Sequence, residues 1–290
     1  MVMLRQFLAQ YLFNKDLLNS EQVLEILEQD KFQRVAPGVV ALHKGLLSAE
    51  QIEKIQKIQI DQDKLFGEVA VDEGLLTEQQ VGSILAARED SNLSVAQAIV
   101  SRGFMSLAEL GKALEEYRDN NQLSIHESIS KSEFNEICCK DFEEVRELYV
   151  EYTELFLAAL VKFVDLEGVI VSSTEIDSTE KWLITQRMNG EVDLGTGLLL
   201  TDDVVLKMAE QYSKEAIDEV DQFALDSVAE FLNVVNGLFV VALSNRDLDV
   251  DLQPQKFGKG VMPSGNKRVI INIETKLGLM QLLIASDGIQ

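Results

Sequence analysis

Asp226-Ser-Val-Ala-Glu230-Phe-Leu-Asn233-Val-Val-Asn-Gly237 is the stretch on which the reading of this chain turns. At roughly 100° per residue, Asp226, Glu230, Asn233 and Gly237 fall in a narrow stripe on one side of a helix, and Ala224, Val228, Phe231, Val235 and Phe239 lie opposite. The pattern predicts an amphipathic helix with a buried apolar face and a wet face that offers two carboxylates, a carboxamide and a glycine. Glycine inside a helix costs about 1 kcal/mol relative to alanine, so its place on the wet side fits close approach of another surface. An acid-rich face is also the ordinary solvated side of a helix, and spacing alone does not separate the two readings.

The neighbouring sequence supplies the rest of a domain. Phe142, Val145, Leu148, Tyr149, Tyr152, Leu155, Phe156 and Ala159 describe a long helix from Lys140 to Asp165. Strands are expected at 168–172, 182–188, 193–200, 248–252, 267–274 and 278–285, where β-branched and apolar residues cluster between turn signals. Thr201-Asp-Asp-Val starts a further helix with Thr201 as N-cap, and the acid-bearing helix is expected from about Ala216 to Leu243. Helices grouped apart from a mostly antiparallel sheet make this part α+β.

Asp226-x-x-x-Glu230-x-x-Asn233, followed about twenty residues later by Pro254, resembles the signature helix of the CheC/CheX family of chemotaxis phosphatases. The resemblance covers roughly residues 140–290, including Gly190-Glu-Val-Asp-Leu-Gly-Thr-Gly before a strand and Gln253-Pro254-Gln255 entering the closing strands. The gap from Asn233 to Pro254 is slightly shorter than the usual pattern. The first helix of the domain carries no Glu-x-x-Asn, leaving one site per chain as in the single-motif CheX branch.

The resemblance implies a substrate of CheY type, a response regulator phosphorylated on aspartate, which itself supplies the Mg²⁺, a lysine and the acyl phosphate; no cofactor is expected on this chain. An aspartyl phosphate is already labile, so catalysis consists chiefly of placing a water in line and stabilising a loose transition state. By the same resemblance Asn233 orients that water and Glu230 pairs with the regulator's lysine. Asp226 and Gly237 are docking positions, and Pro254 shapes the chain beside the site. A carboxamide suits the task, because its oxygen accepts from water, its NH₂ donates to phosphate, and it brings no charge to an anion.

The first half of the chain is built from four copies of one unit. Gly45, Gly74 and Gly103 each follow the preceding marker by 29 residues, and the same step back reaches Asp16. Around them Lys15-Asp-Leu-Leu-Asn-Ser-Glu-Gln, Lys44-Gly-Leu-Leu-Ser-Ala-Glu-Gln, Glu73-Gly-Leu-Leu-Thr-Glu-Gln-Gln and Arg102-Gly-Phe-Met-Ser-Leu-Ala-Glu run in register. Asn19 with Gln22, Ser48 with Gln51, Thr77 with Gln80 and Ser106 with Glu109 have capping-box spacing. Leu18 with Val23, Leu47 with Ile52, Leu76 with Val81 and Met105 with Leu110 fill the staple positions. Each unit is therefore a short helix, a tight turn whose glycine takes the left-handed cap, and a second amphipathic helix.

These repeats resemble the MshEN-type N-terminal domains of secretion and pilus ATPases, in which an Arg-Leu-Gly opens the unit that contacts cyclic di-GMP. The corresponding positions are Ala36-Pro37-Gly38, Leu65-Phe66-Gly67 and Ser94-Val95-Ala96. With no arginine at any of them, cyclic di-GMP is not expected to bind, and a helical stack for protein contacts is the favoured reading.

The domain plan is thus four repeats over 1–125, a polar linker over 126–139 and a CheX-like domain over 140–290. The chain has 26 basic and 49 acidic residues, a net charge of -23, which disfavours nucleic acid and anionic membrane surfaces. No apolar run approaches the 18 residues of a membrane span, and Met1-Val-Met-Leu-Arg-Gln-Phe does not read as a secretory signal. Adjacent Cys138 and Cys139 make no disulfide framework, so a cytoplasmic protein is expected.

His43 and His126 have no metal-ligand spacing around them, and no metal site is expected. Gly260-x-x-x-x-Gly265-Asn-Lys267 is a near miss to a phosphate-binding loop. Asp247, Asp249 and Asp251 alternate along an expected strand and read as a solvated or edge-protecting face. No self-contained active site emerges. Beside the phosphatase reading stand a non-catalytic signalling or motility interaction protein and a cyclic di-GMP-responsive adaptor, and a homodimer formed by pairing sheet edges is left open.

Overall fold

A computed structural model describes residues 3–28, 34–89, 93–120, 146–171, 178–263, 268–286 and 289. The chain divides into two compact units, Met1–Ile125 and His126–Gln290. The expected linker, with His126, Cys138 and Cys139, lies outside the described residues, as do Phe142, Val145, Gly265 and Lys267.

The first unit is all helical: α1 Met3–Asn14, α2 Ser20–Leu27, α3 Pro37–His43, α4 Ala49–Gln62, α5 Phe66–Asp72, α6 Glu78–Ala86, α7 Ser94–Ser101 and α8 Leu107–Asn120. Four short-range cap motifs start its second helices. The side chains of Asn19, Ser48 and Thr77 accept from the N–H groups of Gln22, Gln51 and Gln80, whose side chains bond back to the cap N–H. Ser106 and Glu109 repeat the exchange at 2.8 and 3.2 Å. Two orphan donors per helix start are thereby satisfied. Gly45, Gly74 and Gly103 take φ of 67–70°, and Asp16 takes 54° at the equivalent place, a conformation Asp tolerates better than most residues.

Leu18, Val23, Leu47, Ile52, Leu76, Met105 and Leu110 are buried in the shared seam. A Cβ on Gly38 would lie 2.8 Å from Ile52 Cγ2, and one on Gly67 would lie 2.6 Å from Val81 Cγ1. These glycines let the short helix of one repeat approach the long helix closely, which accounts for Gly at the third position of two of the triplets.

The second unit is α+β. Its helices are α9 Arg146–Ala159, which passes into a π turn over Leu160–Val164, α10 Asp202–Ser213 and α11 Gln222–Ser244. The strands are β1 Gly168–Val171, β2 Trp182–Gly190, β3 Leu194–Leu200, β4 Val250–Leu252, β5 Lys256–Lys259, β6 Arg268–Thr275 and β7 Gly278–Ala285. They form one seven-stranded antiparallel sheet in the order β1-β6-β7-β3-β2-β4, with β5 also paired to β2.

The helix bearing Glu230 starts at Gln222, later than the expected Ala216. Lys214 closes α10 in the left-handed conformation, and the Asp221 carboxylate accepts from the Ala224 N–H at 2.9 Å, fixing the N-cap. α11 packs its apolar side on β2 and against α9 and α10. It is long and apolar enough by composition to cross a membrane, yet half of that apolar window is buried inside the protein.

β5 was not foreseen. β4 and β5 are two pieces of one edge beside β2: Met188 faces Leu252 and Thr185 faces Lys256, so Gln186 and Arg187 face three residues, Gln253, Pro254 and Gln255. This is a β-bulge, and Pro254 sits in it, where its missing N–H removes no ladder bond. The three alternating aspartates do not share a strand. Asp247 turns at φ 61°, the Asp249 N–H donates to Glu191 Oε2 at 2.8 Å, and only Asp251 belongs to β4.

Candidate functional site

Helix periodicity places Asp226, Glu230, Asn233 and Gly237 on the outward side of α11, while Ala224, Val228, Phe231, Val235 and Phe239 are all buried. Glu230 and Asp226 are exposed; Asn233 and Gly237 are half-buried. Nothing lies within 4 Å of where a Gly237 Cβ would be, so the glycine leaves an open shelf. Leu238 and Val241 continue the exposed face as apolar residues one turn on.

The apolar side is held by ring contacts. Phe231 meets Phe156 of α9 and Tyr212 of α10 edge-on at 5.8 and 5.9 Å, and Phe239 meets Tyr152 at 5.2 Å. Edge-to-face pairs of this kind fix the helix rotation as well as its depth.

Asn233 and Glu230 touch: Asn233 Nδ2 donates to Glu230 Oε2 at 3.3 Å. Asp226, a turn earlier, accepts from Gln222 Nε2 at 2.9 Å. Pro254 is exposed in the bulge, one residue beyond Gln253, whose carbonyl accepts from Gln186 Nε2 at 2.9 Å. Gln186 Nε2 also donates to Asn233 Oδ1 at 2.8 Å. The structure thus joins Glu230, Asn233 and the Pro254 bulge through one strand side chain, and leaves Asp226 and Gly237 as separate parts of the same exposed face.

Behind Gln186 the polar contacts continue inward. Asn236 Nδ2 donates to Gln186 Oε1 at 2.8 Å, and Asn236 Oδ1 accepts from the Thr196 and Tyr152 hydroxyls at 3.0 and 2.6 Å. Burial pushes the Tyr152 phenol far above its ordinary range, with the Thr196 hydrogen bond opposing, so it stays a neutral donor. Beside the site the Tyr212 phenol is also raised, first by burial and then by the negative charge of Glu230. Sequence reading missed Gln186, Asn236, Thr196 and Tyr152. The one available signal was Asn236, an amide in the apolar stripe of α11 that needs a buried partner.

No protein-family model matches the chain, and no curated protein matches it. Solved structures similar to it include CheX- and CheC-like chemotaxis proteins. A CheX from Desulfovibrio desulfuricans is 14% identical, covers 50% of this chain and 99% of its own length, with a TM-score of 0.42. A CheX from Vibrio vulnificus is 16% identical over 46% of this chain and 92% of its own, with a TM-score of 0.41. A Borrelia burgdorferi structure, a CheX–CheY complex with BeF₃ and Mg²⁺, is 18% identical over 47% and 96%, with a TM-score of 0.41.

The first unit has a cleft of about 830 Å³ at the start of α5, lined among others by Pro37, Lys64, Leu65, Phe66 and Arg88. It falls at two of the triplets, 36–38 and 65–67. Its two cations are engaged within the chain: Lys64 pairs with Asp72 at 2.7 Å, and Arg88 Nε donates to the Val35 carbonyl at 2.8 Å. Among the described residues no three His, Cys, Asp or Glu side chains come together as a metal site.

Proposed function

We propose that the second unit is a phosphatase of aspartyl-phosphorylated, CheY-type response regulators, with Asn233 orienting the attacking water and Glu230 docking on the regulator's lysine. The observation that carries this reading is the pair itself: a carboxamide and a carboxylate three residues apart on the outward face of a rigid helix, in contact at 3.3 Å, with an open shelf at Gly237 beside them. The regulator brings the phosphoryl group and its Mg²⁺, so this chain has to supply only placement and one polar group.

Asn233 retains the means to act. Its oxygen has a second lone pair beyond the one that accepts from Gln186, and its NH₂ has a second donor beyond the one facing Glu230. When Glu230 turns to a regulator lysine, the longer 3.3 Å contact is released and both N–H groups face the phosphoryl oxygens. Asp226, Gly237 and Pro254 border the docking face in this reading. The role is one in chemotaxis-type signalling.

The test is to incubate the full chain with phosphorylated regulators and follow decay of the acyl phosphate. Asn233→Ala is expected to bind regulator nearly as the unaltered chain does and to dephosphorylate it about 10²-fold more slowly. Decay at an unchanged rate with Asn233→Ala removes the mechanism.

A further inference from the structure

We infer that Gln186 is the positioning residue that sets which way round the Asn233 carboxamide faces, and that a single backbone carbonyl in the Pro254 bulge dictates the choice. This rests on the reading of Asn233 as the working group.

An amide side chain can be turned end for end with little change in shape, so its useful orientation has to be enforced by its partners. Gln186 is almost fully buried, at 3% exposure, and stands directly opposite Thr196 in the β2–β3 register. One of its partners, the Gln253 carbonyl, can only accept, so the group 2.9 Å from it is the Gln186 NH₂. The second hydrogen of that NH₂ points to Asn233 and requires an acceptor there, which is Oδ1 at 2.8 Å.

The other end of Gln186 is then an oxygen, which requires the NH₂ of Asn236. The Asn236 oxygen is left to the two hydroxyls, which rotate to donate. Gln186, Asn233 and Asn236 are thereby each held in one orientation. Turning Asn233 round would set NH₂ against NH₂ and leave the Gln186 donor without an acceptor.

The carbonyl is available because the edge strand is interrupted. The Gln253 N–H makes the last ladder bond, to the Arg187 carbonyl at 2.8 Å, and Pro254 then carries the chain through the bulge before β5 resumes. Outward from this frame Asn233 presents its NH₂, the group needed to meet phosphoryl oxygens, together with one oxygen lone pair.

The experiment has an arm that needs no phosphatase. In the full chain with ¹⁵N-labelled glutamine and asparagine, the Gln186 side-chain amide, identified by its loss in Gln186→Met, is expected to show both protons exchanging slowly with water, since both are bonded inside the protein. The outward Asn233 NH₂, identified by its loss in Asn233→Ala, is expected to exchange like a solvated amide. In Asn233→Ala one of the two Gln186 protons is expected to exchange faster, having lost its acceptor. A rapidly exchanging Gln186 NH₂, or a slowly exchanging Asn233 NH₂, in the unaltered protein would overturn the inference.

In the kinetic arm, Gln186→Met is expected to lower the saturated dephosphorylation rate about tenfold or more, with regulator affinity unchanged. In an Asn233→Ala background the same change should have no further effect, because it acts through Asn233. An additive loss, or no loss, overturns the inference. If no regulator is dephosphorylated by the unaltered chain, the phosphatase reading fails while the amide resonances still decide the orientation.

Discussion

Gly237→Ala separates a glycine kept for docking from one present by accident. In a helix interior the change is worth about 0.8–1.0 kcal/mol of intrinsic propensity in favour of alanine. Nothing lies within 4 Å of the new methyl, so no packing term offsets that gain. The second unit should therefore gain close to 1 kcal/mol, which for a domain of its size raises Tm by about 2–4 °C in a calorimetric scan.

The same methyl would stand on the shelf beside Asn233, where a flat partner surface has to come close. Overpacking at a close contact costs typically 1–3 kcal/mol, so affinity for a regulator carrying a beryllofluoride acyl-phosphate mimic should fall roughly 5- to 150-fold by titration calorimetry. A variant that is both more stable and weaker in binding marks a position held for function at the expense of stability. Higher stability with unchanged affinity refutes the docking role of Gly237. Lower stability refutes the open shelf itself.

Four further expectations concern Glu230, Tyr212, Glu154 and Thr77. Glu230→Lys should leave stability within about 0.5 kcal/mol, because the side chain is exposed, while weakening regulator binding by at least roughly tenfold through like-charge contact with the lysine. The same variant should lower the Tyr212 phenol pKa in an absorbance titration, since Glu230 contributes to raising it, and an unmoved titration would contradict the geometry. Burial, and then the charge of Glu151, pushes the Glu154 carboxyl up to about 7 from 4.5, so the folded chain holds a proton that the unfolded chain releases between those values. Stability should fall as pH rises from about 4.5 through 7. Glu154→Gln should flatten that slope by on the order of 1 kcal/mol, after allowing for solvent access to a part-buried group; urea midpoints at pH 5 and 8 that shift equally in both proteins would refute it. Thr77→Ala removes a capping box and should destabilise the repeat unit by about 1 kcal/mol in urea unfolding, with Thr77→Ser restoring most of it.

The repeats, their caps and the outward stripe of α11 were legible in the sequence because the interactions that make them are local. A cap joins residues three apart, a left-handed turn needs its glycine or aspartate at one position, and a helix face repeats every 3.6 residues. Glu230 and Asn233 could be placed side by side on those grounds alone. The start of α11 was misplaced because Ala216 and Ile217 continue the apolar pattern, whereas the Asp221 cap fixes the boundary at Gln222. β5 escaped because Lys256-Phe-Gly-Lys is short, contains glycine and closely follows a proline.

Only the tertiary structure decided what Asn233 is tied to. Gln186 lies 47 residues from Asn233 and 50 from Asn236, and Tyr152 lies 84 from Asn236. Such contacts exist because the antiparallel register sets Gln186 against Thr196 beneath α11, and because an extra residue in the edge strand turns the Gln253 carbonyl toward them. Strand register and a bulge are set by pairing between distant segments, so Glu230 and Asn233 could be set side by side from the chain alone, and the partners of the Asn233 amide came from the sheet.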